Sequence, residues 1–125
     1  MPDMSLQDIA NELVSGCREG RDVENIDKLY DANVVSVEAA DFSGMGRETH
    51  GIQGLKGKHD WWNTNFEVKD FKVDGPFLHG DDRFSVIFEM DTVQKDTGER
   101  TQGKEVAVYH VANGKITREE FFYAS

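Results

Sequence analysis

Three strand-like runs close this chain and constrain it most. Phe84 to Val93, Gln102 to Val111 and Lys115 to Tyr123 are rich in β-branched and aromatic residues, with turn chemistry between them. The N-terminal half instead repeats apolar residues at helical spacing. Helices first and strands last predict an α+β domain, with helices on one face of an antiparallel sheet. A curled sheet closed by helices tends to leave a hollow, so the pattern predicts a pocket.

Ser5 followed by Asp8 resembles a capping box, and Leu6, Ile9, Ala10, Leu13, Val14 and Cys17 then form one apolar helical stripe. Asp22 caps a second, shorter helix whose inner face carries Val23, Ile26, Leu29 and Tyr30. The short connection predicts an antiparallel pair. From Asn33 to Ala40 the period changes to that of a strand, with Val35, Val37 and Ala39 on one face. Residues 41–51 read as a loop, and a third helix is expected from Ile52 to Asn65 despite Gly54 and Gly57. On it Leu55, His59 and Trp62 share one side. Phe66 to Leu78 reads as a long strand bent near Gly75-Pro76. Asn113-Gly114 is a strong hairpin signal between the last two strands.

The chain of 125 residues reads as one domain spanning 1–125, large enough for a real core. Its 14 basic and 24 acidic residues give a net charge of −10, which opposes polyphosphate and anionic lipid. Neither nucleic acid nor a membrane is an expected partner. Met1 to Ala10 lacks the basic start and apolar centre of a signal peptide, and no apolar run approaches the ~20 residues of a membrane span. Cys17 is the only cysteine and has no internal partner, so a reducing cytoplasm is the expected location. The last strands are apolar on both faces: Val106 and Val108 oppose Ala107 and Tyr109. Helices cover one face, and a second copy on the convex face would cover the other, which predicts a homodimer.

The motif Ile26-Asp27-Lys28-Leu29-Tyr30-Asp31, running into Val34-Val35-Ser36-Val37-Glu38, resembles the SnoaL-like domains of the nuclear transport factor 2-like superfamily. His50-Gly51-Ile52 and Asn113-Gly114-Lys115-Ile116 extend the resemblance over nearly the whole chain. It implies a cone: a curved antiparallel (mixed) sheet wrapped around three N-terminal helices, with an apolar pocket between them. The superfamily includes ketosteroid isomerases, polyketide cyclases, dehydratases, epoxide hydrolases and noncatalytic modules, so the resemblance alone does not choose a function. The general-base aspartate of the isomerases aligns with Ala39, and their oxyanion donors with Val14 and Ala107. Isomerase chemistry of that kind needs all three groups. The cyclases' C-terminal acid is also missing from Phe122-Tyr123-Ala124-Ser125.

On this alignment strand alternation turns Glu105, Ala107 and Tyr109 inward, together with Glu119, Phe121 and Tyr123. Val37, Ala39, Phe88, Met90 and Trp62 complete the expected ligand-binding wall. Glu105, Glu119 and His59 are the candidate catalytic groups, because burial lifts a carboxyl toward neutrality where it can exchange a proton. The competing reading pairs both glutamates with Arg118 or Lys104, or leaves them in water at the rim. His59, between Lys58 and Asp60, reads equally as a surface histidine. The four histidines have no metal-ligand spacing, and no phosphate loop or nucleophile elbow is present, so no metal or cofactor is expected. Three functions remain open: a binder of a small, largely apolar organic molecule, a cofactor-independent isomerase, cyclase or dehydratase, and a noncatalytic interaction module.

Overall fold

The computed structural model describes residues 4–41, 44 and 46–123. Helix α1 (Leu6–Glu19) begins at Ser5, whose Oγ accepts from the Asp8 backbone N–H at 3.1 Å. It ends at Gly20, which takes the left-handed conformation that glycine adopts at least cost. Helix α2 (Asp22–Leu29) returns beside it. Gly16 makes their contact possible, because a side chain there would collide with the buried Asn25 amide. Strand β1 (Tyr30–Val37) follows without a loop, so Tyr30 opens the strand instead of closing the helix. Strand β2 (Glu48–His50) lies inside the expected loop; three residues are too few to display a period.

Helix α3 (Gly51–Asn65) leads into β3 (Phe66–His79), β4 (Arg83–Gln94), β5 (Arg100–Ala112) and β6 (Lys115–Phe122). The register of β3 shifts between Asp74 and Phe77, where Gly75-Pro76 marked a bend. Asn113 and Gly114 both take positive φ in the tight turn between β5 and β6. The six strands form one mixed, open sheet in the order β2-β1-β6-β5-β4-β3. Only the β1–β6 pair is parallel.

All three helices pack on one face. Ile9, Leu13 and Val14 of α1 meet Phe84, Val86, Ala107 and Tyr109 of the sheet, with the Phe84 and Tyr109 rings stacked at 4.8 Å. Leu55 of α3 packs with Ile26 and Val34. The outer face leaves Val106 and its cross-strand neighbour Phe122 exposed, at 38% and 51%.

β1 has the opposite phase from the expected one. Val34 packs on the helices, and Ser36 is fully buried in contact with groups of α3 and β6. Even-numbered residues therefore face inward, and alternation turns Val35 and Val37 outward. Val37 is almost fully buried all the same. Ala39 lies beyond the strand, which ends at Val37 instead of Ala40. The run Val34-Val35-Ser36-Val37 is apolar enough on both sides for either phase, and the hydrogen bonds of Ser36 decide it.

Candidate functional site

Register assembles the site. Ser36 lies beside Glu119 across the parallel pair, and Glu119 lies beside Tyr109 across the next. Ala107 faces Phe121, and Glu105 faces Phe88. Glu105, Ala107, Tyr109, Glu119 and Phe121 thus share the inner face, in the phase their alternation predicts.

The closed end of this face is fully packed. Ala107 and Tyr109 belong to the core under α1, so neither lines an open wall as expected. Phe88, across from Glu105, is buried as well, with its ring stacked 5.8 Å from that of Phe71. Glu119 is only 5% exposed, yet it is well partnered. It accepts from Ser36 Oγ at 3.1 Å and from the Tyr30 hydroxyl. Burial and this carboxylate hold the Tyr30 hydroxyl far above its usual range, so Tyr30 is a fixed donor. The Cys17 thiol is pushed up to about 12 by burial, leaving it an inert packing group.

Lys58 of α3 organises the middle. Its Nζ donates to Ser36 Oγ at 2.8 Å and forms an ion pair with Glu38. It also sits 4.8 Å from the centre of the Phe121 ring, over its face. Glu38 in turn accepts from the Tyr123 hydroxyl at 3.0 Å. Its backbone is held on both sides by Arg47, whose C=O accepts from the Glu38 N–H at 2.8 Å and whose Nε donates to the Glu38 C=O at 2.9 Å. Glu38 and Lys58 escaped the sequence reading. A face shared by Val35, Val37 and Ala39 leaves Glu38 on the opposite one, and Lys58 stands in a charged run that looks like a solvated helix surface. Glu38, next to Ala39 and just past the end of β1, sets a half-buried carboxylate against Lys58.

Glu105 stands apart at the open end. Among the described residues no hydrogen bond or ion pair reaches its carboxylate. Arg118 pairs with Glu120, and Lys104 lies nearest Glu89, so neither satisfies Glu105 or Glu119. Burial first, then repulsion from Glu38, pushes the Glu105 carboxyl up to about 7, while Lys58 pulls it back. This is the range in which a carboxyl can both take and give a proton near neutral pH.

Other expected site residues fall elsewhere. His59 Nδ1 lies 3.5 Å from Asp22 at the start of α2, half-exposed and outside the carboxylate cluster. Trp62 stacks on Phe66 with ring centres 4.4 Å apart, bridging α3 and β3. Met90 borders a polar groove of about 390 Å³ among Asp70, Lys72, Glu89 and Lys104. A second hollow, about 480 Å³, opens between α3 and the β2 region, and Lys58 forms part of its wall. No cluster of metal-ligating side chains exists among the described residues, and no helix there is long and apolar enough to cross a membrane.

The family model of the SnoaL-like domain matches residues 4–123. A crystal structure of a candidate SnoaL-like polyketide cyclase from Mesorhizobium loti is 36% identical, with a TM-score of 0.88, covering 96% of this chain and 100% of that one. An NTF2-like protein from Burkholderia thailandensis shares 16% identity at a TM-score of 0.82, covering 97% and 92% of the two chains. A candidate isomerase from Bacillus subtilis shares 15% at 0.69, covering 95% and 83%. The last two similarities show the α+β cone fold alone. No curated protein matches significantly. With the family match running from α1 to the end of β6, the chain belongs to the SnoaL-like domain family.

Proposed function

We propose that the protein binds a small, largely apolar organic molecule at the open end of the inner face and moves a proton on it, with Glu105 as the acid–base group. The carrying observation is an inward, partly buried carboxylate that has no partner among the described residues and is pushed up to about 7. A structural carboxylate is expected to have partners, as Glu119 does. Phe121 and Tyr123 are partly exposed beside the cluster and supply contact area, while Phe88 lies across from Glu105. Lys58 supplies the complementary charge. Two of its three N–H groups serve Glu38 and Ser36, and the third suits an oxygen on which negative charge grows.

These roles fit removal of a proton next to a carbonyl, the step that cofactor-independent isomerases, cyclases and dehydratases share. The isomerase arrangement itself is not part of this reading, since the residues that align with its donors are Val14 and Ala107, both apolar and buried. The test is deuterium uptake next to the carbonyl of a simple aryl ketone such as acetophenone. Exchange should exceed the buffer rate and fall about 100-fold in Glu105→Gln. Thermal stabilisation by the ketone without exchange, unchanged in that variant, would instead mark a noncatalytic binder.

The protein is further proposed to pair two copies through the outer face of the sheet and to work in the cytoplasm. Exposed Phe122 and Val106 support the first reading, and the single cysteine supports the second. Phe122→Arg should convert a dimer into a folded monomer in sedimentation equilibrium; a monomeric native protein would contradict the pairing.

A further inference from the structure

Packing alone gives no reason for a carboxylate at Glu119. The group is almost completely buried and loses hydration that the Ser36 and Tyr30 hydroxyls replace only in part. An apolar side chain of similar volume would fill the same space without that cost. Among the described residues no ion pair joins Glu119 directly. Its route to a positive charge runs through one atom, Ser36 Oγ, which donates to Glu119 Oε2 at 3.1 Å and accepts from Lys58 Nζ at 2.8 Å. The chemistry of the three groups fixes the direction of both bonds. An ammonium can only donate, so Ser36 accepts from Lys58, and the single hydroxyl proton is left for Glu119. The carboxylate thereby turns a lone pair of Ser36 toward α3.

We infer that Glu119 is a positioning residue, acting through Ser36 to hold the Lys58 ammonium where it meets the substrate oxygen; its effect on catalysis rests on the proposed function, its hold on Lys58 does not. A lysine head rides on a flexible four-carbon stem and follows whichever carboxylate is in reach. Lys56, two positions earlier on α3, does this, pairing at 2.8 Å with the exposed Asp27 alone. Lys58 is held by more. Glu38 draws it directly, Glu119 draws it through Ser36, and the face of the Phe121 ring lies 4.8 Å away. Ser36 and Glu119 are neighbours across the parallel β1–β6 pair, so the register of that pair sets the height of the ammonium on the sheet. A donor fixed in this way is aimed before any ligand arrives, and needs no reorganisation as charge grows on the oxygen.

Lysine side-chain NMR reads this hold without a substrate. The Lys58 Nζ resonance, assigned by its loss in Lys58→Met, should be motionally restricted in the native protein. Ser36→Ala and Glu119→Gln should each release it to the mobility of Lys56. Tyr30→Phe removes the other donor to Glu119 but leaves Ser36 in place, so Lys58 should stay restricted there; a general loosening of the core would free it in all three variants. In the acetophenone exchange assay, Ser36→Ala and Glu119→Gln should each lower kcat about tenfold while KM stays within about twofold. The double variant should lose no more than either single one, because both break the same connection. Should Glu119→Gln fail to fold, Ser36→Ala carries both readings against Tyr30→Phe. Lys58 equally restricted in native protein, Ser36→Ala and Glu119→Gln would overturn the inference, and so would losses that multiply in the double variant. A restricted Lys58 released by these variants, in a protein that exchanges no deuterium, would uphold it and remove the proton-transfer proposal instead.

Discussion

Two glutamates on the same face of the same sheet live in opposite circumstances. Glu119, at the closed end, is nearly inaccessible but accepts from Ser36 and Tyr30. Glu105, at the open end, is less deeply buried but has no partner among the described residues, and its carboxyl is pushed up to about 7. Burial alone therefore does not identify a chemical group. A buried carboxylate with dedicated donors is an architectural element that ties β1, β6 and α3 together through Ser36 and Lys58. A partly buried one without donors keeps its proton economy free for a ligand. Lys58 is linked to Glu119 through Ser36 and acts on Glu105 through its charge alone.

The contrast breaks most visibly on removal of the partnered carboxylate. Glu119→Ala would leave the Ser36 and Tyr30 hydroxyls facing a void and Lys58 without its ordered neighbour. It should cost about 3 kcal/mol in chemical denaturation. Glu105→Gln, which removes no partner, should change stability at pH 5 by less than about 0.5 kcal/mol. Similar losses in both variants would erase the distinction.

A smaller effect sharpens it. Folding raises the Glu105 carboxyl from its ordinary 4.5 to about 7, so the folded chain keeps a proton that the unfolded chain has shed. The contribution of this group is fully present below pH 4.5, falls as pH rises through about 7, and is flat above that. Solvent screens a partly exposed carboxylate, so the loss should be on the order of 2 kcal/mol. It should appear as the difference between native protein and Glu105→Gln in stability measured across that range. A native protein that tracks the variant at every pH would show that Glu105 titrates normally.

The fold was largely legible because its strongest signals are local. Ser5 with Asp8 marks the start of α1, and Asn113-Gly114 marks the final hairpin; each position has a conformational reason that no distant contact overrides. The inward phase of β5 was legible because Glu105, Ala107 and Tyr109 contrast with Val106 and Val108, and β6 follows from its pairing. The site was only half legible. The inward orientation of Glu105 and Glu119 follows from that phase, but Val34-Val35-Ser36-Val37 has no clean alternation, so that of Glu38 does not. Lys58 was hidden among Lys56, His59 and Asp60, where charge looks like ordinary helix surface. Its role arises from contacts with Ser36 and Glu38, more than twenty and exactly twenty positions earlier in the chain. Such long-range pairing leaves no local trace. His59 fails for the converse reason: it shares a helical side with Leu55, but Asp22 at the start of α2 draws it to the edge of the packing.

The most direct test is the titration of the Glu105 carboxyl carbon by NMR, assigned by its disappearance in Glu105→Gln. A midpoint near 7 is the expected result. A midpoint near 4.5 would mean that the carboxylate is solvated or paired, and would remove the acid–base group on which the proposed function rests.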